Sequence, residues 1–259
     1  MRLSAIALVL IAAGSAHAAE KTLDRTFTVS PGGELVVDAD GASVHVSAID
    51  GNQVIVHMVF GGSERNLDDI KLDAIQKDNG VTVTARKPGR NWFSWGRWGK
   101  QEIEVKVPRR YGVNVRTGGG SISAKNVTGN VELRTSGGSI HVDTIRGDVD
   151  ADTSGGSVQL LNIDGKIRGN TSGGSVRCSL VGANRGISVT TSGGSIELKL
   201  PRGTTANIEA RTSGGQVSTE IPVTSTAREK SELVGTVNGG GERIYAHTSG
   251  GSIAVREAN

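Results

Sequence analysis

The amino-acid sequence has few of the residues that stabilise small domains through covalent links or large rings. Its 259 residues include one cysteine, Cys178, and only 3% are aromatic. A single cysteine excludes an internal disulfide, so packing and backbone pairing must stabilise the fold. Cys178 stands where Val142, Leu160 and Leu198 stand in the repeat described below. We expect it to be a buried, small hydrophobic residue rather than a nucleophile.

Long apolar runs are equally scarce. The first 18 residues combine Arg2, an apolar run over 5–13, and small residues at Ala16 and Ala18. This is the pattern of a secretory signal peptide that is cleaved after Ala18. No later segment approaches the roughly 20 apolar residues that a membrane helix needs. We therefore expect an exported protein, periplasmic or secreted, with no transmembrane segment.

Concentrated charge is missing as well. The 29 basic and 26 acidic residues give a formal net charge of +3, and they are interspersed along the chain. Without a block of lysine and arginine the chain has no electrostatic track for a polyanion, which argues against a nucleic-acid partner.

What the chain does have is glycine, 38 residues of it, much of it in Thr-Ser-Gly-Gly-Ser motifs and close variants. The motif spacing is 18, 18, 18, 20, 21 and 36 residues, and we interpret the last interval as two periods. A period of this size is typical of one coil in a stacked repeat protein. The threonines that mark the repeats are Thr117, Thr135, Thr153, Thr171, Thr191, Thr212 and Thr248.

Valine or isoleucine occupies the fourth position before and the fifth position after every marker, and polar residues alternate in between. This alternation predicts strands with one buried face. Each coil is then a strand, a Gly-Gly corner and a second strand, with a second corner at Gly129, Gly147 and Gly165. Hairpins turned by the glycine pairs are the alternative. Identical corners at a constant period favour an all-β, single-stranded β-solenoid, which we expect to be a right-handed parallel β-helix.

The chain before residue 111 is less regular. Around Ala39 the offsets of the repeat recur, which predicts a coil there, and Val54, Val56 and Met58 are predicted to begin another. The segments IKLDAIQK, VTVTARK and IEVKVP are interpreted as strands that extend or cap the solenoid, with a turn at Asp78-Asn79-Gly80. A helix is the alternative for the first segment. Residues 19–110 thus form an N-terminal β region that continues into the repeat region, residues 111–259.

Three segments carry a family resemblance: FTVSPGGELVVDADGASVHV, IEVKVPRRYGVNVRTGGGSISAKNVTGNVELRTSGGSI and NGGGERIYAHTSGGSIAV. They resemble the bacterial DUF4097 family, whose members are often labelled adhesins, and more distantly the head domain of autotransporter adhesins. The resemblance covers nearly all of the chain after residue 18. It implies a β-solenoid in an exported bacterial protein, and it supplies no catalytic residues and no cofactor.

Histidine and aspartate are the candidates for chemistry. His45, His57, His141 and His247 have no partners at the spacing of a metal site or a catalytic triad, and surface positions are expected for them. Asp148, Asp150 and Asp152 alternate on one outward face and are a candidate calcium site. Stacking would put Arg134 beside Asp152 and Arg168 beside Asp150, so we favour a solvated ladder of charges across the coils.

The outward residues directly before the markers form a further column. Their charges are mixed and no aromatic platform is visible, so the pattern predicts neither a polyanion track nor a sugar-stacking cleft. The column consists of Arg116, Arg134, Asp152, Asn170, Thr190, Arg211 and His247.

The aromatic loop, residues 88–101, is a long segment that does not follow the repeat pattern. It holds all three tryptophans of the chain, and tryptophan and arginine are enriched at interaction hot spots and at lipid interfaces. The predicted contact is with an envelope protein, a glycan or a membrane surface, and a lid over the end of the solenoid is the alternative. The candidate binding residues are Trp92, Phe93, Trp95, Arg97 and Trp98.

The sequence thus favours an exported, non-catalytic scaffold that needs no cofactor and acts as an adhesin-like or cell-envelope interaction protein. Two alternatives are a polysaccharide-acting β-helix enzyme that uses Asp148, Asp150 and Asp152, and an envelope assembly protein that self-associates through the ends of the solenoid.

Overall fold

The computed structural model describes residues 19–87 and 99–258, which form two long sheets. Sheet A has 11 strands and sheet B has 12. The elements in chain order are β1 (Ala19–Thr28), β2 (Glu34–Ala39), β3 (Ser43–Ile49), β4 (Gln53–Gly62), α1 (Glu64–Asp69), β5 (Lys71–Lys77), β6 (Gly80–Arg86), β7 (Gln101–Pro108), β8 (Gly112–Thr117), β9 (Ile122–Lys125), β10 (Val131–Thr135), β11 (Ile140–Arg146), β12 (Val149–Thr153), β13 (Val158–Asp164), β14 (Ile167–Thr171), β15 (Val176–Leu180), β16 (Ile187–Thr191), β17 (Ile196–Leu200), β18 (Ala206–Thr212), β19 (Val217–Thr219), β20 (Thr224–Arg228), β21 (Glu232–Val237), β22 (Arg243–Thr248) and β23 (Ile253–Glu257).

Each regular coil contributes one strand to each sheet. In sheet B, β10 pairs in parallel with β12, so that Thr135 lies beside Thr153. In sheet A, β11 pairs in parallel with β13, so that Ile140 lies beside Val158. Residues 18 positions apart therefore stack directly on one another, which confirms the predicted β-solenoid over a meander of hairpins.

The aliphatic columns that flank the markers form the core. All of these valines and isoleucines are buried except Val217, which is partly buried on β19 at the end of sheet A. Side chains from both sheets belong to one continuous cluster. Cys178 lies in this cluster as predicted, and burial raises the pKa of its thiol to about 12.

The marker threonines are buried too, between 0 and 7% exposed. The Thr153 hydroxyl donates a hydrogen bond to the carbonyl oxygen of Gly138 in the neighbouring coil, at 2.8 Å. It also accepts one from the Gly156 N–H of its own coil, at 3.4 Å. The same pair of bonds recurs at Thr135, Thr171, Thr191, Thr212 and Thr248. Each threonine thus links two coils while its own polar group remains satisfied.

The second glycine of each motif lies against the backbone of the coil beneath it. A Cβ atom at Gly138 would stand 2.1 Å from the Gly120 carbonyl oxygen, and one at Gly156 would stand 2.1 Å from that of Gly138. Only a residue without a side chain fits at this distance, which is why the motif retains glycine there.

Chain order and stacking order differ at the C-terminal end. β22 pairs in parallel with β16 on one side and with β18 on the other, and β23 lies between β17 and β19. The last coil is therefore inserted between the coils marked by Thr191 and Thr212. Interpreting the 36-residue interval as two stacked periods was wrong, because the intervening β20 and β21 run antiparallel at the end of sheet B.

Chain order and stacking order also differ at the N-terminal end. The coil of β2 and β3 lies between the coil of β8 and β9 and the coil of β6 and β7. The segment that begins at Val54 forms no coil, since β4 runs antiparallel to both β1 and β7. An alternating pattern looks the same in a parallel and an antiparallel strand, and this explains the wrong prediction.

The segment before β5 is part helix and part strand. Residues 64–69 form α1, and strand β5 begins at Lys71 and turns into β6 at Asp78 and Asn79, as predicted. Leu67 in the helix and Ile70 directly after it are buried. The Lys21 ammonium donates hydrogen bonds to the carbonyl oxygens of both residues, at 3.0 and 2.8 Å, which satisfies this end of the helix. In the described part of the chain no helix is long and apolar enough to cross a membrane.

A glycine pair in the first repeat provides a matched test of the corner. Gly120→Ala would place a Cβ 2.0 Å from the Ala42 carbonyl oxygen, whereas a Cβ at Gly119 meets nothing within 4 Å. We expect Gly120→Ala to lower the free energy of unfolding by about 1–3 kcal/mol and Gly119→Ala to change it by less than about 0.5 kcal/mol. Urea unfolding of the two variants gives the comparison, and equal stability would contradict the packing described.

Cys178 offers a test of the core. Because its thiol is buried and its pKa is raised to about 12, the thiol stays protonated at pH 8 and is not exposed to reagents. We expect no reaction with Ellman's reagent in the native protein and one thiol equivalent on unfolding. Rapid modification of the native protein would show that this column is open.

Candidate functional site

A shallow groove follows the outer face of sheet B beside the glycine corners. In the register of the sheet, Asp38, Arg116, Arg134, Asp152, Asn170 and Thr190 lie side by side on successive coils. Neighbouring strands are about 4.8 Å apart, so six coils span about 24 Å. The groove has a volume of about 710 Å³ and is lined by Asp38, Ala39, Asp40, Arg86, Arg116, Thr117, Gly118, Arg134, Thr135, Ser136, Asp152, Thr153, Ser154, Asn170, Thr171, Ser172, Thr190 and Ser192.

The floor of the groove is a network of polar contacts. Arg116 and Arg134 both lie near Glu132 Oε1, with Nη2–O distances of 3.3 and 3.2 Å, and Arg134 Nε is 3.6 Å from Asp152 Oδ2. The other carboxylate oxygen of Asp152 accepts a 2.6 Å hydrogen bond from the Asn170 amide. Thr190 donates to the Asn170 oxygen at 2.8 Å. Exposed ion pairs add little stability, so the main effect of these contacts is to fix the orientation of the side chains on the floor of the groove.

One wall of the groove is a row of serines from the second position of the motif. Ser136, Ser154, Ser172 and Ser192 are exposed. Their hydroxyl groups make no hydrogen bond to any residue that the structure describes. This wall therefore offers donors and acceptors to a bound molecule.

Paired charged residues line the N-terminal end of the groove. Arg86 pairs with Asp38, and its Nη1 lies 3.4 Å from Asp40 Oδ1. The backbone N–H of Lys87 donates a 2.7 Å hydrogen bond to Asp40 Oδ2. Each arginine that lines the groove thus has a carboxylate partner, so the charges of the described lining residues balance.

The aromatic candidates Trp92, Phe93, Trp95, Arg97 and Trp98 lie outside the described residues. The described residues on the C-terminal side of this segment are held at the outermost coil. The Gly61 N–H donates to the Lys100 carbonyl at 2.7 Å, and the Gly99 N–H donates to that of Gly61 at 2.9 Å. Lys87, the last described residue before this segment, follows β6 and lies next to Arg86, and Gly99, the first described residue after it, lies beside Gly61.

The four histidines lie on the surface, as predicted, and three of them have protein partners. His45 contacts the Ser123 hydroxyl at 2.8 Å, His57 contacts Asp24 at 2.6 Å, and His141 contacts Gln159 at 3.2 Å. His247 stacks on Tyr245 instead. Sequence reasoning missed Tyr245, because it followed only the outward column next to the markers. An aromatic residue three positions before Thr248 was the available signal.

The aspartate row is paired with arginine, as predicted. Besides the contact of Arg134 with Asp152, Arg168 Nε lies 3.9 Å from Asp150 Oδ1. Asp148 accepts a 2.9 Å hydrogen bond from the Lys166 N–H. Among the described residues no group of three or more histidine, cysteine or acidic side chains is arranged to hold a metal ion.

Asp150 differs from its neighbours. Its Oδ1 atom is buried and has no hydrogen-bond partner within the described ranges. Burial, and then the nearby charge of Asp152, raise the pKa of this carboxyl above its ordinary value of 3.8. Asp143 shows the opposite shift, because a 2.9 Å hydrogen bond from the Asn162 amide lowers the pKa of its carboxyl.

The two sheets, the corner motif and the groove together define a repeat scaffold of the β-solenoid class, whose surface is built from columns of equivalent side chains. The family model described as Toastrack DUF4097 matches residues 33–164 and again residues 148–256. The chain therefore belongs to the DUF4097 family.

Several solved structures are similar to this chain, each covering 92% of it. They include the "putative cell adhesion protein" of Clostridium sporogenes (14% identity, 100% of that chain covered, TM-score 0.37). The "putative adhesin" of Bacteroides fragilis has 11% identity, 97% coverage and a TM-score of 0.44. The "putative lipid binding protein" of Parabacteroides distasonis has 13% identity, 97% coverage and a TM-score of 0.38. No protein with curated annotation matches the chain.

The opposite pKa shifts of Asp150 and Asp143 give a test by pH. Because the pKa of Asp150 is raised on folding, its ionisation costs stability as the pH rises from 3.8 through the folded value. Asp150→Asn should therefore raise the melting temperature at pH 7 and leave it unchanged at pH 3.

The lowered pKa of Asp143 contributes stability above pH 3.8 that is lost as the pH falls through its folded value. Asp143→Asn should lower the melting temperature at pH 7, and the same sign for both variants would refute this assignment.

Proposed function

We propose that the protein is an exported, non-catalytic, adhesin-like scaffold that binds an extended polymer of the cell envelope along the groove. The groove runs from Asp38 to Thr190 over six coils. This single observation carries the proposal, because a long, shallow, polar channel fits an extended chain better than a compact substrate.

The register of the coils supports a binding role. Side chains on successive coils occupy equivalent places, and the serine wall presents the same hydroxyl group on four successive coils, so a polymer with a short repeat meets a similar donor and acceptor at each of these steps. The network through Arg134, Asp152 and Asn170 holds these groups in place before a ligand arrives. Such preorganisation reduces the entropy lost on binding.

Export is part of the proposal. Residues 1–18 have the sequence pattern of a signal peptide, which supports export to the periplasm or the outside of the cell. The partner class is a glycan, a protein or a membrane surface of the envelope. On the sequence alone, Trp92, Trp95 and Trp98 are proposed as a second contact.

Two double variants with the same loss of charge test the groove. Arg116→Ala with Arg134→Ala removes groove side chains, whereas Lys125→Ala with Arg146→Ala removes two exposed cations at the second corner. We expect the groove variant to bind envelope preparations of the producing bacterium about tenfold more weakly, as for the loss of roughly 1.4 kcal/mol, and the control to bind like the wild type.

A steric variant controls for indirect effects on the network. Ser172→Trp fills the groove from its wall and leaves the arginines unchanged, and it should weaken binding as well. In the same assay, alanine at Trp92, Trp95 and Trp98 tests the second contact. Binding that is unaffected by both groove changes would refute the groove as the binding site.

A further inference from the structure

We propose that Tyr245 and His247 form a carbohydrate-binding subsite that continues the groove, and that the polymer held there is a neutral glycan. This inference rests on the proposed function and specifies its ligand class.

The position of the pair follows from the inserted last coil. In the register of sheet B, His247 lies beside Thr190, the last groove residue, and Tyr245 lies beside Ser188. Both side chains therefore stand on the outer face one coil beyond the groove. Ser249 takes the corner position that Ser192 has in the coil before, so the polar wall continues as well.

Tyr245 is unusual in this chain. The other described aromatic residues, Phe27, Phe60 and Tyr111, are buried, whereas Tyr245 is partly exposed. Its ring lies nearly parallel to that of His247, with 6.4 Å between centroids and an angle of 15°. Sugar rings present C–H groups that pack against aromatic carbon, so the exposed parts of these two rings supply an apolar contact that the rest of the groove lacks.

The polar ends of both rings are unused. The Tyr245 hydroxyl and the His247 ring nitrogens make no hydrogen bond within the described ranges. By contrast, the Tyr111 hydroxyl donates to the Asn79 carbonyl oxygen at 2.7 Å, and the other three histidines have polar partners. A pair of rings with free donors and acceptors can bind the hydroxyl groups of a sugar.

The surroundings hold the rings in place. The Arg243 guanidinium carbon lies 4.6 Å from the Tyr245 ring centroid. Arg243 in turn contacts Glu209 at 2.6 Å, and Glu209 contacts Arg211 at 2.8 Å. Arg211 also contacts Glu232, at 2.7 Å. These paired charges fix the ring of Tyr245 without creating a net charge at the subsite.

Other ligand classes fit this face less well. A polyanion needs uncompensated cations, and the arginines here are paired. A peptide that adds a strand needs a free backbone edge, and on these coils the backbone pairs with the neighbouring coils. A lipid needs an apolar patch, and the large exposed hydrophobic residues of the described chain are Ile75 and Val181, neither of which lines the groove. A neutral glycan requires none of these features.

Affinity electrophoresis of the purified protein in gels that contain dextran, mannan or galactomannan tests the inference. We expect at least one of these neutral polysaccharides to retard the wild type. Tyr245→Ala and His247→Ala should each weaken the apparent affinity about tenfold. Tyr245→Phe keeps the ring and loses only the hydroxyl, so it should weaken the apparent affinity less than Tyr245→Ala does. His141→Ala, which removes an outward histidine from sheet A, is the matched control and should behave like the wild type.

Two outcomes would overturn the subsite: no retardation by any of the three polysaccharides, or retardation that Tyr245→Ala and His247→Ala leave unchanged. Circular dichroism of each variant checks that these outward substitutions retain the fold. The experiments distinguish failure of the proposed groove from failure of the proposed subsite. Loss of envelope binding in the Arg116 and Arg134 double variant, without retardation by a neutral polysaccharide, would support the groove and exclude the glycan. Retardation by anionic alginate alone, or binding to phosphatidylglycerol vesicles alone, would also exclude it.

Discussion

The contact on which the structure depends is the hydrogen bond from a buried threonine hydroxyl to the glycine carbonyl of the neighbouring coil. It forms because the second glycine of the motif has no side chain, which lets two backbones approach until a Cβ atom would be 2.1 Å from a carbonyl oxygen. The hydroxyl then reaches the Gly138 carbonyl from Thr153 at 2.8 Å. Both partners are internal to the coil stack, so the bond fixes the register of each coil against the next.

Fixed register has consequences on both faces of the sheets. On the inner face it aligns valine and isoleucine in continuous columns and excludes water, which supplies most of the stabilisation. On the outer face the same alignment places Arg134 beside Asp152 and Asn170 beside Thr190. The groove is therefore a product of stacking, because none of its side chains is brought to it by a long loop. Binding specificity in such a scaffold lies in which residue each coil places in a given column.

Much of the fold could be predicted from the sequence, since a coil is a local structure. The alternation around each marker and the nearly regular period were enough to predict two strands per coil, the burial of the valines and isoleucines that flank each threonine, and the burial of Cys178. The predictions failed where the pattern is ambiguous. Val54, Val56 and Met58 alternate as they would in a coil, yet β4 pairs antiparallel with β1 and β7. Residues 64–69 are too few for a helical period to be visible, and Lys21, which donates hydrogen bonds to the carbonyl oxygens at the end of this helix, is more than 40 positions away in the sequence.

By itself the sequence determined the shape of the coil, the need for glycine at its corner and the residues of each column. It also placed Arg116, Arg134, Asp152, Asn170 and Thr190 in one outward column, but it predicted no binding cleft there and did not point to the serine wall or to Arg86. Only the tertiary structure decided the order of the coils at the two ends. All coils present the same columns of aliphatic side chains and backbone groups, so the local pattern is compatible with any neighbour. The inserted last coil brings His247 next to Thr190 and moves Arg211 one coil outward. The candidate subsite exists because the last coil lies between the coils marked by Thr191 and Thr212. This position depends on the chain segments that connect the coils and on the burial of the last coil between two neighbours, and the repeat pattern of the coil does not determine it.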